Sequence, residues 1–264
     1  MVRAVSGCVM ERFVRLIAPT NRLDFLFKLV LFVLLSGMLN HIRAVLSHGW
    51  ADANTFAYNL QAAAFTALPM STLALLLIQH LNALQEKLYT QATTDQLTQL
   101  PNRRWFLEQC PPVLRQGMIM VLLDLDHFKA INDTHGHDTG DACLVAISDH
   151  FRAVLPENAQ CARLGGEEFG ILFKQTSLPQ VQDWIGKICQ GIEVSVGADE
   201  KVAVTVSAGI LTVEGGITMR RAFQLADAAM YDAKAAGRSR FAMAHIGDVN
   251  VSRPRHAGVR DAIA

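Results

Sequence analysis

Two long apolar runs stand near the front of the chain, and they restrict its architecture more than any other feature. Phe25–Leu39 reads FLFKLVLFVLLSGML, with Lys28 as its only charge. Ala62–Ile78 reads AAAFTALPMSTLALLLI and carries no charge. A helix that crosses a bilayer takes ~20 mostly apolar residues. The second run reaches that length when extended back to Phe56. The first does so by running past Asn40, or by letting Lys28 snorkel to the interface. Pro69 would cost ~3 kcal/mol inside a soluble helix but is tolerated in a membrane helix. A cleaved signal peptide fits poorly, because the first run starts late and is followed by His41 and Arg43 instead of a small-residue cleavage site. The alternative for both runs is a buried helical hairpin of a soluble domain. The expectation is a two-helix membrane anchor at 25–78.

Positive charge sets the expected orientation. Residues 1–24 carry Arg3, Arg12, Arg15 and Arg22, whereas the connecting stretch 41–55, read as a short outer loop, carries only Arg43. The positive-inside rule then places 1–24 in the cytoplasm and returns everything after Ile78 to it. The outer loop is too small for a folded sensor, and its His41, His48 and Asp52 read as solvated polar residues before they read as a metal site. From 79 to 94 the sequence becomes polar, with Leu81, Leu84 and Leu88 on one helical stripe. That helical linker either pairs with a second copy, as a lever from the membrane, or packs on its own domain. Residues 246–264 show no periodicity and read as a loose tail.

The remaining composition excludes several classes. With 24 basic and 24 acidic residues the net charge is zero, which argues against electrostatic nucleic-acid binding. A hydrophobic share of 51% with 18% charged residues excludes a largely disordered chain. Five scattered cysteines without a CxxC pair suit neither a disulfide framework nor a zinc site, and point to a reducing compartment.

Residues 95–245 read as an α/β domain. Met118–Leu125 is an apolar run ending in carboxylates, as a buried central strand would be. Ala162–Leu164 and Phe169–Phe173 read as strands joined through Gly165-Gly166, and Ala203–Leu211 as one further strand. Gly140–Val154, Gln180–Ile192 and Met219–Ala236 have helical spacing, the last stopping at Gly237. Arg240–Ala244 reads as a closing strand. Helices alternating with strands imply a sheet covered by helices.

Three constellations carry chemistry. Asp124 and Asp126 end the apolar strand, and alternation puts them on one face. They are either two oxygen ligands for a hard cation such as Mg²⁺ or a helix cap plus a surface acid. Gly165-Gly166-Glu167-Glu168 sets two glycines, which permit positive φ and close backbone approach, before two acids that repel one another unless a cation lies between them. The bland version is an ordinary surface hairpin. Lys234 and Arg238, spaced i, i+4 at the end of the last helix, either meet phosphates or only complement the helix dipole.

These residues together resemble the GGDEF family of diguanylate cyclases. The signature is RLGGEEF at Arg163–Phe169, the Glu form of the motif. Four further matches follow in order: DQLTQLPNRR at Asp95–Arg104, DLDHFKAINDTHGHDTGD at Asp124–Asp141, VTVSAGI at Val204–Ile210 and ADAAMYDAKAAGR at Ala226–Arg238. The resemblance implies a mixed five-stranded sheet surrounded by helices, like the core of adenylyl cyclases. It implies condensation of two GTP to cyclic di-GMP and two pyrophosphates, with one GTP per protomer of a homodimer. It implies that Asp124, the Leu125 carbonyl, Glu167 and Glu168 hold Mg²⁺, or Mn²⁺, since oxygen donors accept either. Glu167 would be the proton acceptor, a role that competes with metal binding. Asn132 and Asp141 would read the guanine edge, with His137 in the same segment, and the Gly165-Gly166 backbone would lie against the nucleotide. His127, Phe128 and Lys129 would offer backbone N–H groups to phosphates, Lys129 adding its ammonium, and Lys234 and Arg238 would clamp the β- and γ-phosphates.

Departures from the family pattern are Gln99 for a Gly and Ser239 for an Asn. The product-binding RxxD motif would fall at Pro156 and Ala159, so ordinary product inhibition is not expected. Taken with the two apolar runs, the resemblance implies a multi-pass protein of the bacterial inner membrane with its catalytic domain in the cytoplasm. The competing readings are a catalytically inactive GGDEF receptor for nucleotide and a membrane scaffold.

Overall fold

The computed structural model describes residues 18–19, 21–52, 56–196 and 200–244. Arg3, Arg12, Arg15, Cys8 and the tail from 246 lie outside them. The chain divides into two compact units, Met1–Tyr89 and Thr90–Ala264.

In the first unit, helix α1 (Arg22–Asp52) is followed by α2 (Phe56–Thr93). Both are long and apolar enough to cross a membrane, over Arg22–Ser47 and Leu60–Thr93, and almost none of either apolar stretch is buried. They meet closely at Gly37, where a Cβ would come within 2.7 Å of Leu60 Cδ1. Lys28 donates to Asp24 Oδ2 and to the Ala18 carbonyl, both at 2.8 Å, so the one charge of the first run is paired toward its N-terminal end. The expected loop at 41–55 is corrected: through Asp52 these residues are helical, because Ile42, Ala44, Val45 and Leu46 continue the apolar pattern and no proline interrupts it. Pro69 stays inside α2.

The second unit is the expected α+β fold. Its elements are α3 (Arg103–Gln109), β1 (Val113–Leu114), β2 (Ile119–Leu125), α4 (Phe128–His135), α5 (His137–Val154), β3 (Gln160–Gly165), β4 (Glu168–Phe173), α6 (Leu178–Gln190), β5 (Ile192–Ser195), β6 (Lys201–Val204), β7 (Val206–Thr212), β8 (Ile217–Thr218), α7 (Met219–Ala235) and β9 (Phe241–Ala244). The main sheet has five strands in the order β3-β4-β2-β7-β9. All pairings are antiparallel except β7 with β9, which makes the sheet mixed.

β2 sits at the centre, and all seven of its residues are buried. Alternation splits them between two cores. Ile119, Val121, Leu123 and Leu125 join the core that includes Phe151 of α5 and Ile185 of α6. Met120 and Leu122 join the core under Phe106 of α3 and Met230 of α7. Asp124 therefore emerges on the α7 side, at the C-terminal end of the strand.

One expected strand is two. Ala203–Leu211 breaks at Thr205, and β6 pairs with β5 in a separate ribbon while β7 enters the main sheet. The pattern Val204-Thr205-Val206 is strand-like throughout, so nothing local marks the change of partner. The short helices α3 and α4 and the β1–β8 pair lacked a periodic signal.

Candidate functional site

The end of β2 is where the chemistry gathers. Asp124 is in register with Glu168 of β4 on one side and with Ser207 of β7 on the other. The β3–β4 hairpin turns through Gly165 and Gly166 at φ 145° and 53°, angles a side chain would resist, and a Cβ at either would meet no atom within 4 Å. The tip is thus open to an approaching flat or charged group. It is also anchored. Leu125 N–H donates to the Glu167 carbonyl at 3.2 Å. Arg163 Nε and Nη2 donate to the Gly166 carbonyl at 3.0 and 2.7 Å, while Nη1 meets Asp95 Oδ1 at 2.9 Å. Beneath the tip the Phe169 ring is fully buried, edge-on to Phe151 with centroids 5.1 Å apart.

A cavity of about 380 Å³ opens beside the hairpin, lined by Asp124, Leu125, His127, Phe128, Lys129, Glu167, Tyr231, Lys234 and Arg238 among others. Eight of the residues expected from sequence therefore meet in one place. The turn from β2 into α4 puts His127 at φ 57°, and the first intrahelical acceptor is the His127 carbonyl, at 3.1 Å from Ile131 N–H. The leading amides of α4 have no partner within their own helix, which is what an anion site at a helix start requires. Lys234 Nζ lies 2.6 Å from Asp124 Oδ1.

Arg238 reaches this cavity by a different route from the one expected. α7 ends at Ala235, and Arg238 sits beyond it at φ 62°, its N–H donating to the Ala233 carbonyl at 3.1 Å. Gly237, at φ 113°, breaks the helix first, so the i, i+4 geometry is replaced by a turn that brings Arg238 back over the helix end.

Asp126 matches neither of the alternatives left open by sequence, a second cation ligand or a surface acid. It is buried, but its oxygens accept from Thr205 Oγ1, Ser207 Oγ and Ser239 N–H. Those three bonds make it a structural carboxylate rather than an open ligand beside Asp124.

The remaining sequence-derived residues lie elsewhere around the rim. Asn132 on α4 and Asp141 on α5 are neighbours through Gly140, where a Cβ would come within 1.9 Å of Asn132 Oδ1. Only glycine lets that amide lie across α5. Asp141 and His137 are exposed, and none of the three lines the 380 Å³ cavity. Gly165 and Gly166 line a larger cleft, of about 780 Å³, with Asp95, Asn102, Arg103 and Arg163. The Asp95–Arg163 tie was not singled out from sequence, although Asp95 and Thr98 stand at a local capping spacing. Burial pushes the Asp95 carboxyl up, but the Thr98 hydroxyl and amide and the Arg163 guanidinium outweigh it and hold the group below its ordinary value.

Among the described residues no three His, Cys, Asp or Glu side chains converge as a ready metal cluster. The donor set at the end of β2 nevertheless suits a hard cation. Its oxygens are Asp124, Glu167, Glu168 and the Leu125 carbonyl. Glu168 is pushed above its ordinary value by burial first, then by Asp124 and Asp227 nearby. A buried carboxylate facing two further acids would be stabilised by a cation bound beside it. Asp124, Asp126 and Glu167 balance Lys129, Lys234 and Arg238 around the cavity, so an incoming polyphosphate would need cations with it. The thiols contribute nothing: burial raises Cys110, Cys161 and Cys189 to about 12.

The family model "Diguanylate cyclase, GGDEF domain" matches residues 92–240, more than half of the chain. The chain belongs to the GGDEF diguanylate cyclase family. Its GGDEF region is 38% identical over 162 residues to the diguanylate cyclase DgcP of Pseudomonas aeruginosa, covering 58% of this chain and 24% of that protein. It is 33% identical over 164 residues to a diguanylate cyclase of Vibrio cholerae, covering 60% of this chain and 51% of that protein. The chain thus spans only about a quarter to a half of the length of these relatives. Among solved structures, the coiled coil and GGDEF domain of DgcB from Caulobacter crescentus, in complex with c-di-GMP, superposes with a TM-score of 0.60 at 27% identity, covering 69% of this chain and all of that one. SiaD from Pseudomonas aeruginosa, solved with its activator SiaC, gives 0.54 at 28% identity, covering 92% of this chain and all of that one.

Proposed function

We propose that the chain is an active, membrane-anchored diguanylate cyclase that condenses two GTP to cyclic di-GMP and two pyrophosphates, each protomer of a homodimer supplying one GTP. The observation that carries this is the cavity that gathers Asp124, Leu125, Lys129, Glu167, Lys234 and Arg238 beside an open, anchored hairpin. In each half-reaction the 3′-hydroxyl of one GTP attacks the α-phosphorus of the other. The new 3′-O–P bond forms as the bond to the bridging oxygen breaks, and pyrophosphate leaves with that electron pair. The proton of the attacking hydroxyl passes to Glu167. Lys129 and the leading amides of α4 stabilise charge developing on the phosphates. Lys234 and Arg238 hold the β- and γ-phosphates, and Asn132 and Asp141 read the guanine edge. An acceptor placed for N1–H and the exocyclic amine of guanine is left unpaired against adenine, which rejects ATP. Held by Asp124, Glu167, Glu168 and the Leu125 carbonyl, Mg²⁺ or Mn²⁺ would neutralise the triphosphate and assist the attacking hydroxyl.

α1 and α2 cross the membrane, with the GGDEF domain on the cytoplasmic side where GTP is. Leu81, Leu84 and Leu88 are exposed along α2, and the DgcB superposition includes a coiled coil, which supports pairing of two copies through this helix. Product inhibition through RxxD is absent. At the corresponding place Pro156 and Ala159 line an apolar crevice of about 270 Å³ with Trp105, Phe151 and Leu155.

The test uses the full chain in detergent with GTP and Mg²⁺, products being separated by chromatography and identified by mass. A cyclic di-GMP peak that falls at least about 100-fold in Glu167→Gln, with GTP binding kept, is the expected result. Folded protein that binds GTP and yields no product in either form would favour the receptor reading, and absence of GTP binding the scaffold.

A further inference from the structure

Asp126 lies two residues beyond Asp124, yet its oxygens are committed to the protein. Oδ1 accepts from the Ser207 hydroxyl at 2.7 Å. Oδ2 accepts from the Thr205 hydroxyl at 2.8 Å and from the Ser239 backbone N–H at 3.0 Å. Its own N–H donates to the Thr205 carbonyl at 2.9 Å. Thr205 and Ser207 come from the β6–β7 junction and the start of β7, and Ser239 from the turn after α7, more than thirty residues further along the chain.

The third partner is the informative one. Ser239 follows Arg238 directly, and both residues stand in the left-handed region, at φ 49° and 62°. Residues with side chains leave that region unless the surroundings hold them there. The turn is held from the helix side by Arg238 N–H on the Ala233 carbonyl, and from α6 by Ser239 Oγ on the Cys189 carbonyl at 3.0 Å. Ala208 N–H on the Arg240 carbonyl, at 3.0 Å, secures its exit. The Asp126 contact adds a tie from the end of the strand that carries Asp124. With Arg240 Nε on the Arg238 carbonyl at 3.0 Å, it fixes both ends of the peptide unit between Arg238 and Ser239, directly after the residue whose side chain lines the cavity.

We propose that Asp126 is a positioning residue for the terminal phosphates of the substrate: it ties the end of β2 to the turn after α7, and so keeps Arg238 aimed at the cavity that holds Asp124 and Lys234. This rests on reading that cavity as a GTP site. A carboxylate needed only for folding would weaken every ligand alike. One that acts through Arg238 weakens ligands that have β- and γ-phosphates and spares those that lack them.

The test measures binding by the full chain in detergent, with Mg²⁺, of 3′-deoxy-GTP, which has no hydroxyl to condense, and of GMP. The unaltered chain binds 3′-deoxy-GTP more tightly than GMP. Asp126→Asn, which keeps shape but weakens the hold on Ser239, lowers triphosphate affinity about tenfold and changes GMP affinity less than about twofold. Arg238→Ala gives a comparable loss, and adding Asp126→Asn to it costs less than about twofold more, because the two act as one unit. Where Asp126→Asn fails to fold, Thr205→Val frees the same oxygen from its hydroxyl donor and shifts the triphosphate in the same direction by about threefold. Equal losses for both ligands, no loss for either, or a full second loss on top of Arg238→Ala would overturn the proposal. An unaltered chain with no preference for 3′-deoxy-GTP over GMP would instead remove the GTP-site reading, and the proposal with it.

Discussion

Asp95→Asn isolates a charge that links the loop after α2 to the β3–β4 hairpin. Asp95 Oδ1 accepts from the Thr98 amide at 2.9 Å, the Thr98 hydroxyl at 2.7 Å and Arg163 Nη1 at 2.9 Å. The two charged side chains are only 24% and 13% exposed, so solvent screens the pair weakly. Asparagine keeps one acceptor oxygen and therefore the turn, but the two Thr98 bonds fall from the charge-assisted to the neutral class and the Arg163 bond loses one of its two charges. With ~1.5–3 kcal/mol for bonds to a charged group against ~1 for neutral ones, three weakened bonds give a loss of about 2 kcal/mol once mutual adjustment is allowed. For a domain of this size that is a fall of about 4–8 °C in Tm. The pH dependence follows from the sign of the shift. Asp95 titrates lower in the folded chain than in the unfolded one, so its stabilisation is complete above the ordinary aspartate range and is lost as pH falls through the folded value. The gap between the native chain and Asp95→Asn should be full at neutral pH and close in acid. Thermal melts of the full chain in detergent, followed by near-ultraviolet circular dichroism over that range, measure it. A gap below about 0.5 kcal/mol at neutral pH, or one that persists undiminished below the aspartate range, would refute the reasoning. Because Arg163 also holds the Gly166 carbonyl, the variant should lower turnover more than it lowers GTP binding.

Three more outcomes are specific enough to check. Gly209→Ala should destabilise by about 3 kcal/mol or more in denaturant melts, since the new Cβ would lie 2.0 Å from the Ala226 carbonyl oxygen and 2.5 Å from Met230 N, both backbone atoms of α7. Ser239→Asn should raise Tm by a few degrees without weakening GTP binding, because asparagine tolerates φ near 49° better than serine does and its Nδ2 can replace the hydroxyl as donor to the Cys189 carbonyl. Glu168→Gln should stabilise the metal-free chain by removing a carboxylate that burial and Asp124 disfavour, and should reduce the rise in Tm that Mg²⁺ gives. An unchanged response to Mg²⁺ would take Glu168 out of the metal site.

What could be read from sequence followed the range of the forces involved. The central strand announced itself because β2 is buried on both faces and needs an unbroken apolar run. The hairpin was legible because two glycines between Leu164 and Phe169 have few other uses. Elements that depend on distant partners were not legible. Val204, Thr205 and Val206 look alike as strand formers, yet Val204 ends a two-stranded ribbon and Val206 begins a five-stranded sheet. α4 reads FKAINDTH, and its apolar face is only the buried pair Phe128 and Ile131, too short a stripe to stand out in sequence. The stretch 41–55 reads as a short connection because it lies between two apolar runs, whereas through Asp52 it is helical and Ile42, Ala44, Val45 and Leu46 continue α1.

The two aspartates at the end of β2 show the same limit at the level of the site. A spacing of two in a strand fixes which face a side chain leaves from, and the structure keeps that promise: Asp124 meets Lys234 of α7, and Asp126 meets Ser207, which shares the α7 side of β7. Face alone does not decide chemistry. β2 has β4 along one edge and β7 along the other, and Asp124 is the last β2 residue still in register with β4, opposite Glu168. Two residues later that edge is the open hairpin tip, while the β7 edge still offers the Thr205 and Ser207 hydroxyls. One carboxylate is therefore left beside an acid and a lysine, where a cation is useful. The other is taken up by hydroxyls and an amide. Changing the order of strands around β2 while keeping both aspartates would exchange their surroundings, which is why the pair could not be told apart before the register was known.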